Sequence, residues 1–356
     1  MRPLTSKRIA ILSIISIFII LIAAFSAFFS PYANENSTKQ ATEMDSMGMG
    51  ATDPVLLNIS GVLHAFWIGS DTSGRHYILH SLEVNGVWSP PETITNPPSN
   101  PLDIYALSLN NTAIIAWAER GGPGSIYYLI SFDSGETWSS PIFLTAGDYP
   151  QLWSDGSQIK MLSYNRYAKE HMFSVFNGTD WNSTPINAMG RTLPPLLYPI
   201  HWNGQNLLFW VQDGRVAYAF LEPKGNEMTG FDNISVGREV SEIEISASPT
   251  DINIVFSSLT RNKKTLWAIS SSDSQEWGTP LYIGRVSLSS AFSLYSDTAS
   301  LRVVWSDENT TFVRDVQNGK YIKILPRGDS FDICGSTLLI SSRTGSASTL
   351  YYFRIS

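Results

Sequence analysis

Ser131-Phe132-Asp133-Ser134-Gly135-Glu136-Thr137-Trp138 is the stretch from which the fold of this 356-residue chain can be read. Asp133 can accept hydrogen bonds from the amides of a tight turn. Gly135 can take the positive φ that such a turn needs, and Trp138 places a large apolar group just after it. On the N-terminal side, Ile126-Tyr-Tyr-Leu-Ile130 reads as a strand, and Ala113-Ile-Ile-Ala-Trp117 before it reads as another. The stretch is therefore a turn within an antiparallel meander.

The Ser-to-Trp spacing recurs in weaker form from Ser81 to Trp88 with Asn85-Gly86, from Ser174 to Trp181 with Gly178, and from Ser270 to Trp277 with Asp273. Met228 and Tyr321 fill the tryptophan place in two further copies. Along Trp88, Trp138, Trp181, Met228, Trp277 and Tyr321 the steps are about 50, 43, 47, 49 and 44 residues, the period of propeller blades. Each unit opens with a strand closed by a turn, such as Ser60-Gly61, Asn203-Gly204 or Gly335-Ser336. An apolar second strand follows, as in Leu207-Leu-Phe-Trp210 or Leu301-Arg-Val-Val-Trp305, then a third and a short fourth. One such sheet cannot bury both faces, so the units must stack around an axis. The expectation is an all-β chain, a β-propeller of four-stranded antiparallel blades, with seven blades favoured and six as the alternative. The last unit stops at Ser356 after its third strand, so its fourth strand is either absent or supplied by the segment before Val55.

The Ser131–Trp138 stretch matches S-x-D-x-G-x-T-W at every specified position and so resembles the Asp box of sialidases and other BNR-repeat proteins. The resemblance implies a propeller over residues 54–356, with Ser131, Asp133, Gly135 and Trp138 in a structural role. It also implies that any active site lies on the face away from the Asp boxes. There a sialidase has an arginine triad gripping the substrate carboxylate, a Tyr–Glu nucleophile pair and an Asp acid/base. The Arg-Ile-Pro motif that opens the family's catalytic domain is missing, and Phe353-Arg354-Ile355-Ser356 resembles it only at the wrong end of the chain. Seven blades also depart from the family's usual six. No particular Tyr and Glu are paired by the sequence, so catalytic residues stay unassigned.

In a meander of this kind the turns between strands one and two and between three and four share one face, the turn face. Loops between strands two and three, and links between blades, share the other, the link face. Acidic residues such as Asp133, Glu136, Asp155, Asp251 and Asp297 fall on the turn face. The link face receives Arg75, Arg120, Arg166, Lys169, Arg215, Arg261, Lys263, Lys264 and Arg343 from loops, and Arg191, Arg238, Arg285 and Arg327 from links. Arg191, Arg238 and Arg285 each precede their blade's first turn by about 12 residues, which predicts equivalent places around the channel, with Arg327 a few residues closer. A ring of guanidinium groups there would hold carboxylate, sulfate or phosphate through bidentate bonds. Tyr198, Glu239 and Asp329, also in links, complete the ligand-binding candidates, and Tyr149 shares their setting. The competing reading pairs the arginines with nearby acids such as Asp71, Asp148, Asp213 and Asp329 at little net gain.

Arg2, Lys7 and Arg8 precede an uncharged run from Ile9 to Phe29, long enough at about 1.5 Å per residue to cross roughly 30 Å of hydrocarbon. Residues 1–8 then read as a cytoplasmic basic segment, and 9–29 as a transmembrane signal anchor with a cleaved signal peptide as its rival. Residues 30–53 read as a flexible tether, and the propeller lies on the extracytoplasmic side. Sequons at Asn36, Asn58, Asn110, Asn177, Asn182, Asn233 and Asn309 fit export weakly. Met44, Met47 and Met49 are soft ligands that could hold Cu(I), against a plain linker. The single cysteine, Cys334, excludes an internal disulfide and a Cys-based zinc site and reads as a buried structural thiol. His64, His76, His80, His171 and His201 have no ligand spacing and read as sheet residues. No metal and no cofactor are expected, and a net charge of −7 argues against nucleic acid.

Three functions remain open. The first is a non-catalytic, surface-anchored propeller binding a protein partner or an anionic glycan through its arginine-rich face. The second is a sialidase-like glycosidase acting on acidic sugars, and the third is an assembly factor for a membrane complex.

Overall fold

The computed structural model describes residues 38–355, apart from 98, 122–123, 223–225, 261–262, 289–290, 308 and 346. The proposed basic segment, the apolar run and the first part of the tether lie outside the described residues. Among the described residues no helix is long and apolar enough to cross a membrane.

Seven sheets follow one another along the chain, each a meander whose strands pair in sequence order. Blade 1 comprises Gly50–Ile59, Val62–Ser70, His76–Val84 and Glu92–Thr95. Blade 2 comprises Pro101–Leu109, Thr112–Glu119, Ser125–Ser131 and Ile142–Thr145. Blade 3 comprises Asp148–Ser154, Ile159–Asn165, Glu170–Phe176 and Trp181–Pro185. Blade 4 comprises Tyr198–Trp202, Gln205–Gln212, Arg215–Leu221 and Met228–Ile234. Blade 5 comprises Glu242–Ala247, Ile252–Thr260, Lys263–Ser271 and Leu281–Val286. Blade 6 comprises Phe292–Ser296, Leu301–Asp307, Thr310–Asp315 and Tyr321–Leu325. Blade 7 contributes Ser330–Cys334, Thr337–Thr344 and Ala347–Arg354. First strands touch their neighbours all the way round, blade 7 meeting blade 1, so the ring is seven-fold rather than six-fold.

The fourth strand of blade 7 comes from the other end of the chain. Thr42 and Glu43 pair antiparallel with Tyr352 and Tyr351, and the Met44 amide donates to the Leu350 carbonyl. Just before them, Thr38–Gln40 lies parallel to the last strand of blade 6. The segment expected as a tether up to Asp53 is thus corrected: from Thr38 onward it is part of the propeller, because it completes sheets that would otherwise end on unpaired strands. Met44 is buried and Met49 packs partly buried in the same cluster with Leu79 and Leu350, while Met47 is exposed, so the three thioethers do not converge.

Second strands are the most apolar because neighbouring blades cover both their faces. Trp67, Trp117, Trp305, Phe209 and Phe256 are fully buried there. The tryptophan after each third-to-fourth-strand turn packs on the preceding blade. Trp138 meets Phe66 edge-on at 5.5 Å, Trp181 meets Tyr128, Trp277 meets Phe209, and Trp88 meets Tyr352 across the ring closure. The sequence period therefore records one wedge per blade boundary.

The Ser131–Trp138 turn is self-satisfied. Ser131 Oγ donates to Asp133 Oδ1 at 2.7 Å, the Gly135 amide donates to Ser131 Oγ at 2.8 Å, and the Thr137 amide donates to Asp133 Oδ1 at 2.9 Å. The Thr137 hydroxyl and amide, then Ser131, hold the Asp133 carboxyl down at about 2. Gly135 has φ +88°, and a Cβ there would stand 2.7 Å from the His64 ring of blade 1, so both backbone and space require glycine. In blade 5 the partner of Asp273 is Ser271 and not Ser270, which instead donates to Asn253. That turn is one residue shorter than the spacing had indicated.

Candidate functional site

Blades 1, 2 and 3 share a departure from regular pairing at the link-face end of their first strands. Thr52 faces Ile68 while Val55 faces Phe66; Leu102 faces Ala118 while Tyr105 faces Ala116; Asp148 faces Tyr164 while Gln151 faces Leu162. Each strand carries one extra residue in the same place, a β-bulge, and blades 4 to 7 have none there. Each bulge also holds a non-glycine residue at positive φ: Asp53 at 49°, Asp103 at 46° and Tyr149 at 54°. Such conformations cost of order 1–3 kcal/mol each and persist where the surroundings enforce them. Three in register on adjacent blades turn two carboxyls and a phenol toward the mouth of the channel.

Charge is crowded there. Confinement within the mouth raises Asp53, and it raises Asp103 with the help of the neighbouring Asp53, while Arg120 pulls Asp103 the other way. Further along the channel, burial and then Asp332 push Glu244 up to about 8, and burial pushes Asp332 up to about 7 although the amides of Leu56 and Ile333 donate to it. Burial, then Glu244, also raises the Tyr198 phenol well above its ordinary value. Glu244 and Asp332 in this state keep protons near neutral pH and can donate as well as accept hydrogen bonds.

Beside the mouth, between blades 2 and 3, lies a cleft of about 380 Å³ lined by Leu102, Asp103, Ala118, Arg120, Asp148, Tyr149 and Arg166. Arg166 forms an ion pair with Asp148, whose residue is only 3% exposed, so its guanidinium is fixed by a buried anchor. Arg120 is exposed, and among the described residues no hydrogen bond or ion pair reaches its guanidinium. Behind it, Glu119 is buried and held by Ser99 Oγ at 2.7 Å and the Trp117 indole at 3.2 Å. The cleft therefore combines one guanidinium without a hydrogen-bond partner among the described residues, one anchored guanidinium, a phenol and a carboxyl whose pKa burial raises.

The arginine ring expected around the channel is not formed. Arg191 stacks over Phe231 in the outermost strand of blade 4, Arg238 stacks over Trp267 in the third strand of blade 5, and Arg285 lies within the outermost strand of blade 5. Arg327 stands 3.9 Å from Asp329 in the link to blade 7, and Asp329 also accepts the Arg343 amide at 2.6 Å. Equal distance from a turn along the chain did not give equivalent places: Arg191 lies against a fourth strand, Arg238 against a third, and Arg285 within a fourth. Glu239 is exposed against the Gly214 turn, and Tyr198 alone of the named candidates faces the channel carboxyls. Asp53, Asp103, Glu244 and Asp332 were not singled out by sequence. A residue–proline step marks Asp53, as it does Tyr149 and Tyr198, while Asp103, Glu244 and Asp332 carry no such mark.

Cys334 is half-buried and burial raises its thiol to about 11, which leaves it unreactive. All five histidines lie in strands. Among the described residues no group of three or more His, Cys, Asp or Glu is placed to hold a metal ion.

No family model and no curated protein matches the chain. Solved structures do resemble it. A protein of unknown function from Dyadobacter fermentans superposes with a TM-score of 0.55 at 12% identity, over 89% of this chain and 98% of that one. An ulvan lyase of polysaccharide lyase family PL25 gives 0.57 at 11% identity, over 90% and 96%. Trypanosoma rangeli sialidase in complex with sialic acid gives 0.50 at 11% identity, over 90% of this chain and 57% of that one. At these identities the likeness shows the fold, a sialidase-like propeller.

Proposed function

We propose that this chain is a glycan-binding propeller, held at the outer face of a membrane by residues 9–29, which takes an acidic saccharide into the cleft between blades 2 and 3. The observation that carries the reading is the cleft itself, where unpaired Arg120 stands beside Tyr149, Asp103 and the anchored Arg166. A guanidinium fork matches a carboxylate or sulfate. The phenol and the Asp103 carboxyl match hydroxyls, which need donors and acceptors together. A purely cationic pocket would suit phosphate, and this one is not purely cationic. The fold's likeness to a sialidase and to a polysaccharide lyase is compatible with this chemistry without assigning it.

Binding without cleavage is the preferred form. Tyr198 and Tyr105, the phenols that feel the Glu244 charge, are both raised well above the ordinary value, chiefly by burial, which opposes their use as nucleophiles. The test is titration of the full-length chain in detergent with acidic and neutral oligosaccharides, comparing wild type with Arg120→Gln. Acidic sugars should bind, neutral ones should not, and the variant should bind at least about tenfold more weakly, the loss of one charged hydrogen-bonding partner. Unchanged binding by Arg120→Gln would remove the cleft from consideration. Release of reducing sugar during the titration would replace binding by hydrolysis.

A further inference from the structure

The outer part of blade 4 holds a second polar cleft that the channel-mouth reading does not use. It measures about 360 Å³ and is lined chiefly by Arg191, Gln212, Asp213, Arg215, Asp232 and Asn233 over a floor of Trp210 and Phe231. Its two arginines come from distant parts of the chain but are presented alike. Arg191 closes a tight turn in which Met189 and Gly190 have φ 53° and 76°, and its amide donates to the Ala188 carbonyl at 3.0 Å. Arg215 closes the hairpin between strands two and three, where Asp213 and Gly214 have φ 50° and 71° and Gln212 pairs with Arg215. Both are two-residue turns with positive φ throughout, the geometry that sets the next residue with least freedom.

Their side chains are prepared for a ligand. The Arg191 guanidinium lies over the Phe231 ring at 4.4 Å from its centre, so one flat face is occupied and its N–H edge stays available. Among the described residues neither arginine has a side-chain hydrogen bond or an ion pair, although Asp213 and Asp232 line the same cleft. Gln212 Oε1 accepts the Trp210 indole N–H at 3.0 Å, which orients the amide and leaves its NH2 group to donate. Asp232 spends one oxygen on the Asn233 amide at 2.7 Å.

We infer that this cleft is a second saccharide subsite, specific for a sugar carrying a single carboxylate, which Arg191 and Arg215 grip while Gln212, Asn233 and the two aspartates take its hydroxyls. Two arginines and two aspartates give the cleft no net charge. A monoanion rich in hydroxyls leaves the occupied cleft with one net negative charge, whereas a dianionic phosphate would leave two. The inference rests on the reading of this chain as a binder of acidic glycans and adds a second point of contact on the same chain. A polymer bridging two weak subsites would be held more tightly than either subsite allows alone.

The test uses a hexuronate disaccharide titrated calorimetrically into the full-length chain in detergent, with wild type, Arg215→Gln, Arg191→Lys and Arg120→Gln in parallel. Wild type should bind two equivalents. Arg215→Gln should bind one, and so should Arg191→Lys, which keeps the charge but loses the planar fork, with melting temperatures within about 2 °C of wild type. Two equivalents retained by both variants would overturn the subsite while leaving the channel-mouth reading intact. Loss of one equivalent in Arg215→Gln with none lost in Arg120→Gln would support the subsite and overturn the channel-mouth cleft. A wild type that binds no disaccharide overturns both.

Discussion

His64 shows how much a single buried side chain can make of its place. It sits beneath the Ser131–Trp138 turn of the next blade, its Nδ1 2.9 Å from Nε2 of His80, whose Nδ1 is in turn 2.9 Å from a Glu92 carboxylate oxygen. Burial, then the neighbouring His80, lower His64 to about 4, so both folded and unfolded chains hold it neutral at pH 7. As pH falls below about 6.5 the unfolded imidazole takes up a proton that the folded one refuses, and stability drops until about pH 4. Glu244 and Asp332 act in the opposite sense. Their raised values cost stability as pH rises from the ordinary carboxylate range toward about 8 and 7 respectively. A bare stability curve therefore mixes the two effects, and the useful quantity is a difference. The melting temperature of wild type minus that of His64→Gln should be largest near pH 7 and shrink steadily down to pH 4.5. A difference that does not change with pH would mean that His64 is not the group refusing the proton.

At the scale of the element, the three bulges are where the fold departs from its own repeat. Asp103 is strained at φ 46° and lies in the channel mouth, where among the described residues no hydrogen bond reaches its carboxyl, so glycine in its place relieves about 1 kcal/mol of backbone strain at some entropic cost. Asp103→Gly should melt at or slightly above the wild-type temperature and yet bind acidic saccharide more weakly. A fall in stability beyond about 1 kcal/mol would mean that this carboxyl holds the mouth together. These elements also mark the limit of sequence reading. Ser131–Trp138 was legible because a turn is local: the Ser131 and Asp133 side chains bond residues at most four positions on, and a large apolar or aromatic residue recurs at the tryptophan's place in six blades. One added residue inside a strand changes neither the period nor the composition, so the bulges at Asp53 and Tyr149 left only a proline step as a trace and the one at Asp103 left none. Arg191, Arg238 and Arg285 were legible as link-face residues, but their radial position was not. That depends on the path of each link, and Arg285 sits in a fourth strand where a link had been expected.

For the whole molecule the decisive question is how the ring shuts. Blade 7 ends with Ala347–Arg354 as its third strand, and Thr42–Glu43 covers that strand's open edge with residues from the far end of the sequence. Ala41 is buried in the cluster shared by blades 6 and 7, and its amide donates to the Leu325 carbonyl at 2.8 Å. Closure of this kind ties the N-terminal and C-terminal parts of the chain into one cooperative unit, since neither blade 7 nor the boundary to blade 1 is complete without both. It also brings the apolar run at 9–29 to within about eight residues of the rim, a reach of at most roughly 28 Å when fully extended. Two truncations test the closure. A chain starting at Thr38 should melt close to the full-length protein, because it keeps every residue paired among the described ones. A chain starting at Met44 loses both closing strands, with a few net hydrogen bonds and the burial of Ala41, and should be less stable by about 2–4 kcal/mol and prone to edge-to-edge association. Equal melting of the two truncated chains would mean that the contacts among the seven first strands hold the ring closed without the exchanged strand.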